Sequence, residues 1–244
     1  MNKLLLTVVT ASLYVSVAAA DEPHWGYSGA EGPQKWGSLS RDYESCSAGR
    51  NQSPINLDSS RDVELDPIKF NYRAGGDAIL NKGHTVQVSY ESGSRMTIDG
   101  HTYELKQFHF HAPSENRIHG KAFPMEVHFV HQDDKGKLAV VAVMIDRGDT
   151  NALLTKAWAR VPEEVGEKAE LASAVSAEDL LPSNREYYRF NGSLTTPPCT
   201  EGVLWLVMKH PINASTSQID QFAHVVHHPN NRPVQALNNR VVFE

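Results

Sequence analysis

The chain has 244 residues, with 29 acidic against 23 basic side chains and a formal net charge of −6. A mildly acidic chain without a basic cluster argues against a nucleic-acid partner, and its length suits one large domain with an ample core. Beyond the first twenty residues no stretch is apolar enough to cross a membrane, so no membrane span is expected.

The first segment reads as a targeting signal. Lys3 precedes an apolar run from Leu4 to Ala19, and the small residues Ala18-Ala19-Ala20 stand just before Asp21. This pattern predicts a secretory signal peptide over 1–20, leaving 21–244 as a single exported domain, periplasmic or secreted. In that compartment the only two cysteines, Cys46 and Cys199, read most simply as one disulfide, the alternative being two buried thiols.

Residues 21–50 are rich in Trp, Gly and Tyr without periodicity and read as an irregular, packed leading segment. Strands are expected over 85–90, 95–98, 103–111, 126–131 and 138–145, separated by turn residues such as Asp99-Gly100 and Asp134-Lys135-Gly136. The run from Leu138 to Ile145 is apolar on both faces and belongs deep in a covered sheet. Asn151 is placed to cap a helix from Ala152 to Val161, with Leu153, Leu154, Ala157, Trp158 and Val161 on one face. Ser217 and Asp220 have capping-box spacing for a second helix. The last strand-like runs are 203–207 and 241–243. With no linker and no repeat, a strand-dominated, mixed α/β single domain follows.

The chemistry begins at Gln107-Phe108-His109-Phe110-His111. On a strand, His109 and His111 share one face while Phe108 and Phe110 share the other. In Glu126-Val127-His128-Phe129-Val130, His128 shares its face with Glu126 and Val130. If the two strands are neighbours, three imidazoles converge. Three histidines without cysteine suit zinc and leave a fourth position for water, as in catalytic sites. Gln107 and Glu126 each precede a histidine by two residues, within reach of its other ring nitrogen. A His-x-His pair alone is a weak signal, because alternating strands produce such pairs by chance. His224, His227 and His228 fall at helical spacing with no accompanying carboxylate and read as solvated surface. His101, His119 and His210 belong to no constellation.

Three segments together are more specific. Gln107 to Glu115 (QFHFHAPSE), Glu126 to His131 (EVHFVH) and Gly192 to Cys199 (GSLTTPPC) resemble the α-class carbonic anhydrases. Further matches are His24-Trp25-Gly26-Tyr27, Asn51 to Asn56, Leu80 to His84 and Asn230-Asn231-Arg232-Pro233, so the resemblance spans nearly all of the chain after residue 24. It implies a central, largely antiparallel twisted sheet of about ten strands with short surface helices. It implies one Zn2+ per chain on His109, His111 and His128, with Gln107 bonded to His109 and Glu126 to His128. The implied reaction is reversible hydration of carbon dioxide to bicarbonate by zinc-bound hydroxide. Thr195 would accept a hydrogen bond from that hydroxide while donating its own to ionised Glu115, and Thr196 would face the bicarbonate. Val130, Val140, Leu194, Val203 and Trp205 would form the apolar wall against which carbon dioxide lies. His84 would carry the proton out, beside a solvent network involving Tyr27, Lys82 and Gln87.

Some positions depart from the family pattern. Lys82 stands where many members have a second asparagine, and Gln87 replaces another polar neighbour. A cation beside His84 disfavours its charged form. Asn116 stands where many relatives carry a histidine and receives no role. Ser53-Pro54 and Pro197-Pro198 match positions of cis bonds, and a Cys46 to Cys199 bridge is common in exported bacterial-type members. Sulfonamide and anion inhibition, a weak side esterase activity and a homodimer are further implications. A ligand-poor relative serving as a binding module is disfavoured, since all three histidines, Thr195 and Glu115 are present. Another zinc hydrolase is disfavoured, since such sites usually add a carboxylate ligand or a second metal.

Overall fold

The computed structural model describes residues 23–244, so the expected signal peptide lies outside the described residues. Among the described residues there are thirteen strands: β1 (Asn56–Leu57), β2 (Lys69–Asn71), β3 (Ala74–Asn81), β4 (Val86–Tyr90), β5 (Arg95–Ile98), β6 (His101–His111), β7 (Arg117–Ile118), β8 (Met125–Gln132), β9 (Leu138–Arg147), β10 (Lys168–Ser176), β11 (Tyr187–Ser193), β12 (Glu201–Met208) and β13 (Ile212–Ala214). Four α-helices accompany them: α1 (Trp36–Leu39), α2 (Ser45–Ala48), α3 (Ala152–Trp158) and α4 (Thr216–Val226). Eleven strands form one sheet whose main path is β10-β3-β4-β6-β8-β9-β12-β11, with β5 on β6, β2 on β5 and β13 on β9. Pairing is antiparallel except where β12 and β13 run parallel to β9. The remaining two, β1 and β7, form a small parallel pair.

Alternation along the central strands builds two cores on the two faces of the sheet. Phe108, Phe110, Val127, Phe129, Val141 and Val143 are fully buried on one face, packed with Leu153, Leu154 and Trp158 of α3 and with Ile219, Phe222 and Val226 of α4. Val140, Ala142 and Met144 point the other way, toward Val203, Trp205, Val207, Ile55 and Leu57. The strand β9 is therefore apolar on both sides because both sides are covered. Burying each large side chain stabilises by roughly 1.5–3 kcal/mol, and slipping a strand by one residue would exchange its phenylalanines and histidines between faces. That penalty locks the register on which the histidine face depends.

Departures from expectation lie at the sheet margins. Val241 to Phe243 is no strand; Phe243 makes isolated bridges to Arg61 on one side and Arg189 on the other. The strands β3, β10 and β11 carry weak signals. In β3, Gly75 and Gly76 weaken strand propensity. A Cβ on Gly76 would lie 2.7 Å from Val175 and 3.0 Å from Val88, so the close approach of neighbouring strands requires glycine. As an edge strand, β10 buries little beyond Val175.

Asn151 caps α3 through its side chain, which accepts from Leu153 and Leu154 N–H groups, but the helix ends at Trp158 rather than Val161. The cap of α4 is Ser215, two residues before the expected Ser217. Ser215 is extended and accepts from Gln218 N–H, while Gln218 Oε1 accepts from Ser215 N–H at 3.1 Å. Gln218 also donates to Asn151 O at 2.8 Å, coupling the starts of both helices. The expected box residue, Asp220, already lies inside the helix.

Candidate active site

Strand pairing brings the histidines together. His109 lies directly opposite His128 across β6 and β8, and His111 lies opposite Glu126. Opposed residues on one sheet face place their Cβ atoms within about 5.5 Å of each other. The ring centroids are 5.1 Å apart for His109 and His111, 5.4 Å for His109 and His128, and 4.6 Å for His111 and His128. One nitrogen from each ring lies within 4.8 Å of the others.

Each opposite ring nitrogen lies close to a protein oxygen. His109 Nδ1 is 2.9 Å from Gln107 Oε1, and His128 Nε2 is 2.9 Å from Glu126 Oε1, an ion-pair distance without hydrogen-bond geometry. The third partner is the backbone carbonyl of Asn230, 2.7 Å from His111 Nδ1. These contacts leave His109 Nε2, His111 Nε2 and His128 Nδ1 facing a common point. His111 Nε2 is buried without a protein hydrogen bond, since its nearest carboxylate, Glu115 Oε2, is 3.5 Å away. Burial, with the neighbouring histidines after it, holds His109 and His128 well below the usual imidazole range, and burial lowers His111 too. Neutral imidazoles are the form that ligates metal. The donor set and the unsatisfied nitrogen thus fit a divalent metal with three protein ligands.

Glu126 is wholly buried and fully engaged. It accepts from the backbone N–H of Glu115 at 2.7 Å and of Asn116 at 2.9 Å, and from Asn116 Nδ2 at 2.7 Å. Asn116 Oδ1 in turn accepts from Ile55 N–H at 3.1 Å. Asn116, without a role in the sequence, therefore holds the carboxylate that holds His128.

Glu115 follows the same logic one step away. Its Oε1 accepts from Arg232 N–H at 2.8 Å, and its Oε2 points toward His111. Burial pushes its carboxyl up to about 8, opposed first by a hydrogen bond with Thr195 and next by Arg232 N–H. Arg232 is itself buried. Its guanidinium donates to Gln52 Oε1, Ser53 O and Cys46 O at 2.8–2.9 Å, tying the leading segment to the loop beside Glu115. The sequence placed Arg232 in a motif without showing this clamp.

Thr195 and Thr196 lie on the loop after β11, held on one side by Leu194 N–H to Thr200 O at 2.9 Å and on the other by a Cys46–Cys199 disulfide with a Cα separation of 5.0 Å. Cis bonds occur at Ser53-Pro54, Ala112-Pro113 and Pro197-Pro198. Gly192 precedes this loop where a Cβ would collide with Ser53 Oγ, so the two motifs touch through a glycine. Val140, Val203 and Trp205 are buried in one cluster, with Val130 and Leu194 half-buried against it. The Trp205 ring is 4.9 Å from that of His128, so the apolar wall borders the histidines directly.

The polar side opens into a cavity of about 140 Å3, lined by Lys82, His84, Gln87, Gln107, His109, His111 and Thr196 among others. Gln87 lies opposite His109 across β4 and β6. His84 packs on Trp25 with ring centroids 4.5 Å apart, and burial, then Lys82, lowers its imidazole to about 4. Tyr27 stacks edge-on against Trp36 at 5.7 Å, and its buried hydroxyl has no protein partner. His101, His119, His210, His224 and His227 lie apart from the three-histidine cluster.

A mixed sheet carrying three convergent, individually oriented histidines beside a threonine and glutamate defines a metal-site enzyme class. Residues 31–244 match the family described as eukaryotic-type carbonic anhydrase. The carbonic anhydrase of Pectobacterium atrosepticum is 47% identical over 228 residues, covering 93% of each chain. A hyperthermostable carbonic anhydrase from a hydrothermal vent chimney superposes with a TM-score of 0.89 at 49% identity, covering 91% of this chain and 99% of that one. The α-carbonic anhydrase of Thermovibrio ammonificans, solved with sulfanilamide, gives 0.89 at 46% identity over 91% of this chain and 100% of the other. The chain belongs to the eukaryotic-type, or α, carbonic anhydrase family of enzymes.

Proposed function

We propose that the chain is an exported zinc enzyme that interconverts carbon dioxide and bicarbonate. The observation that carries this reading is the buried convergence of three imidazole nitrogens whose opposite nitrogens each lie within 2.9 Å of a protein oxygen. His109, His111 and His128 would hold zinc, which when bound acidifies a water and stabilises the charge that develops on attack, chemistry for which carbonic anhydrase is the standard instance.

The chain's own residues supply orientation and exclusion. A dication beside Glu115 favours the ionised carboxylate, opposing the upward push of burial. Ionised Glu115 accepts from the Thr195 hydroxyl, which forces the threonine oxygen to act as an acceptor toward the cavity and aims the attacking lone pair. Thr196, on the cavity wall, meets the product's oxygens. Carbon dioxide has no hydrogen-bond donor and no net charge, and the wall of Val130, Val140, Leu194, Val203 and Trp205 offers it apolar surface. His84 accepts the released proton, with Tyr27, Lys82 and Gln87 bordering its route. The disulfide, and an N-terminus with signal-peptide pattern, support export. Sulfonamides and small anions should inhibit by reaching the metal on the same three nitrogens.

Zinc stoichiometry and stopped-flow hydration with a sulfonamide control test the reading. One zinc per chain and sulfonamide-sensitive hydration are expected; zinc-loaded protein without hydration overturns it.

A further inference from the structure

His228 stands outside every role so far described, yet its position is tied to the cavity. The helix α4 ends at Val226, and His227 takes a left-handed φ of 65° that turns the chain back toward β6. Two residues beyond His228, fully buried Asn230 fastens this turn to the site. Its Nδ2 donates to His84 O and Phe110 O at 2.9 Å, its Oδ1 accepts from Ala112 N–H at 2.8 Å, and its carbonyl accepts from His111. One residue thus holds the segment bearing His228 against both His84 and a histidine of the cluster.

The His228 ring reaches the aromatic residues beside His84. Its ring lies 5.8 Å from that of Tyr27, which is 5.7 Å from Trp25, on which His84 packs. The two histidines therefore flank one aromatic strip, and His228 is among the groups that disfavour protonation of His84. Nδ1 of His228 lies 3.1 Å from the Pro229 carbonyl, which can only accept, so Nδ1–H donates to it and Nε2 is the nitrogen left to take up a proton. His228 is solvent-exposed, whereas His84 is half-buried. On its outer side it borders an open cavity of about 580 Å3 shared with Arg147, Asp220 and His227. The charged and titratable groups recorded around it are thus Tyr27 and His84 on the inner side and those three on the outer.

We propose that His228 is a second proton-relay residue, receiving the proton released in each hydration cycle and passing it to buffer alongside His84. The proposal rests on the carbonic anhydrase reading. Water and carbon dioxide yield bicarbonate and one proton; that proton binds Nε2 of His228, forms imidazolium, and leaves to a buffer base, with no change in oxidation state. Two exits suit this chain because burial and Lys82 both oppose a charge on His84, whereas the His228 ring stands open to solvent, where buffer can reach it.

The test compares wild type with His228→Ala, His84→Ala and the double variant, all zinc-loaded and with zinc content measured. At low buffer, kcat should fall about threefold in His228→Ala and about tenfold or more in the double variant, and imidazole should restore it, while kcat/KM holds. Independently of turnover, NMR titration of the His84 ring proton in metal-free His228→Ala should show its pKa raised. Wild-type hydration with a low-buffer kcat unchanged by removing His228, in either background, overturns the relay. A matching fall in kcat and kcat/KM also overturns it, because that marks damage to the site. Absent hydration in zinc-loaded wild type defeats the functional reading instead.

Discussion

Asn116 donates its side-chain amide to Glu126 Oε1 at 2.7 Å, and the same oxygen lies 2.9 Å from Nε2 of His128. The amide therefore acts on the cluster through one carboxylate. Asn116→Ala removes a donor from a buried acceptor and loosens the His128 ring; zinc affinity should fall about tenfold to a hundredfold, measured by competition with a chelator. An unchanged affinity would separate Asn116 from the metal site.

His109→Ala leaves two of three convergent nitrogens. Bound zinc should be lost and hydration should drop at least about a thousandfold, both together. Metal analysis and stopped-flow assays check this, and full hydration in the variant would sink the ligand assignment.

Lys82 is the second cause, after burial, of the low imidazole value of His84 at about 4. Removing a cation favours imidazolium, so Lys82→Asn should raise the His84 pKa, though burial keeps it below the ordinary 6.5. At neutral pH and low buffer, kcat should rise about twofold as the carrier becomes a better base. Ring-proton NMR and stopped-flow kinetics read the two effects, and a fall in the pKa would contradict the electrostatic account.

The Cys46–Cys199 bridge spans 153 residues of sequence and closes over the Thr195 loop. Chain entropy assigns such a loop a contribution of roughly 5 kcal/mol, less any native strain. Reduction should lower Tm by about 10 °C, measured by calorimetry with and without reductant. An unchanged Tm with two thiols titrated would show that the bridge adds no stability.

His131 is wholly buried on the sheet face opposite the cluster, with Nε2 2.6 Å from the Tyr72 hydroxyl and Nδ1 3.3 Å from Ala139 O. Burial lowers its imidazole to about 4. The unfolded chain therefore binds a proton that the folded chain refuses between pH 6.5 and 4. Stability attributable to His131 is intact above 6.5, falls through that window and is lower by on the order of 3 kcal/mol below it. Denaturant titrations should show a smaller loss from pH 7 to 4 in His131→Gln than in wild type, and equal losses would contradict the assignment.

Much of the fold is legible locally. The limits of β5 match the sequence pattern to the residue, and the alternation in β6 and β8 places the phenylalanines and histidines on opposite faces. The weak strands escape a pattern reading where side chains bury little: β3 carries two glycines, and β10 lies at an edge. The α4 cap falls two residues before the one expected, because Ser215 and Ser217 differ in backbone conformation and not in residue type.

By itself the sequence determined which residue types share a face, that His109, His111 and His128 could meet, and which family pattern they follow. Periodicity and motif spacing are properties of neighbouring residues, so they survive without coordinates. Only the tertiary structure decided what lies across from them. The partner of His111 is a carbonyl from Asn230, which every residue possesses and no motif can mark. Asn116 acquired a role through Glu126, Arg232 through contacts with residues far earlier in the chain, and His228 through the turn that Asn230 fastens beside His84. Those relationships depend on burial and on contacts between distant segments, which exist only once the chain has folded.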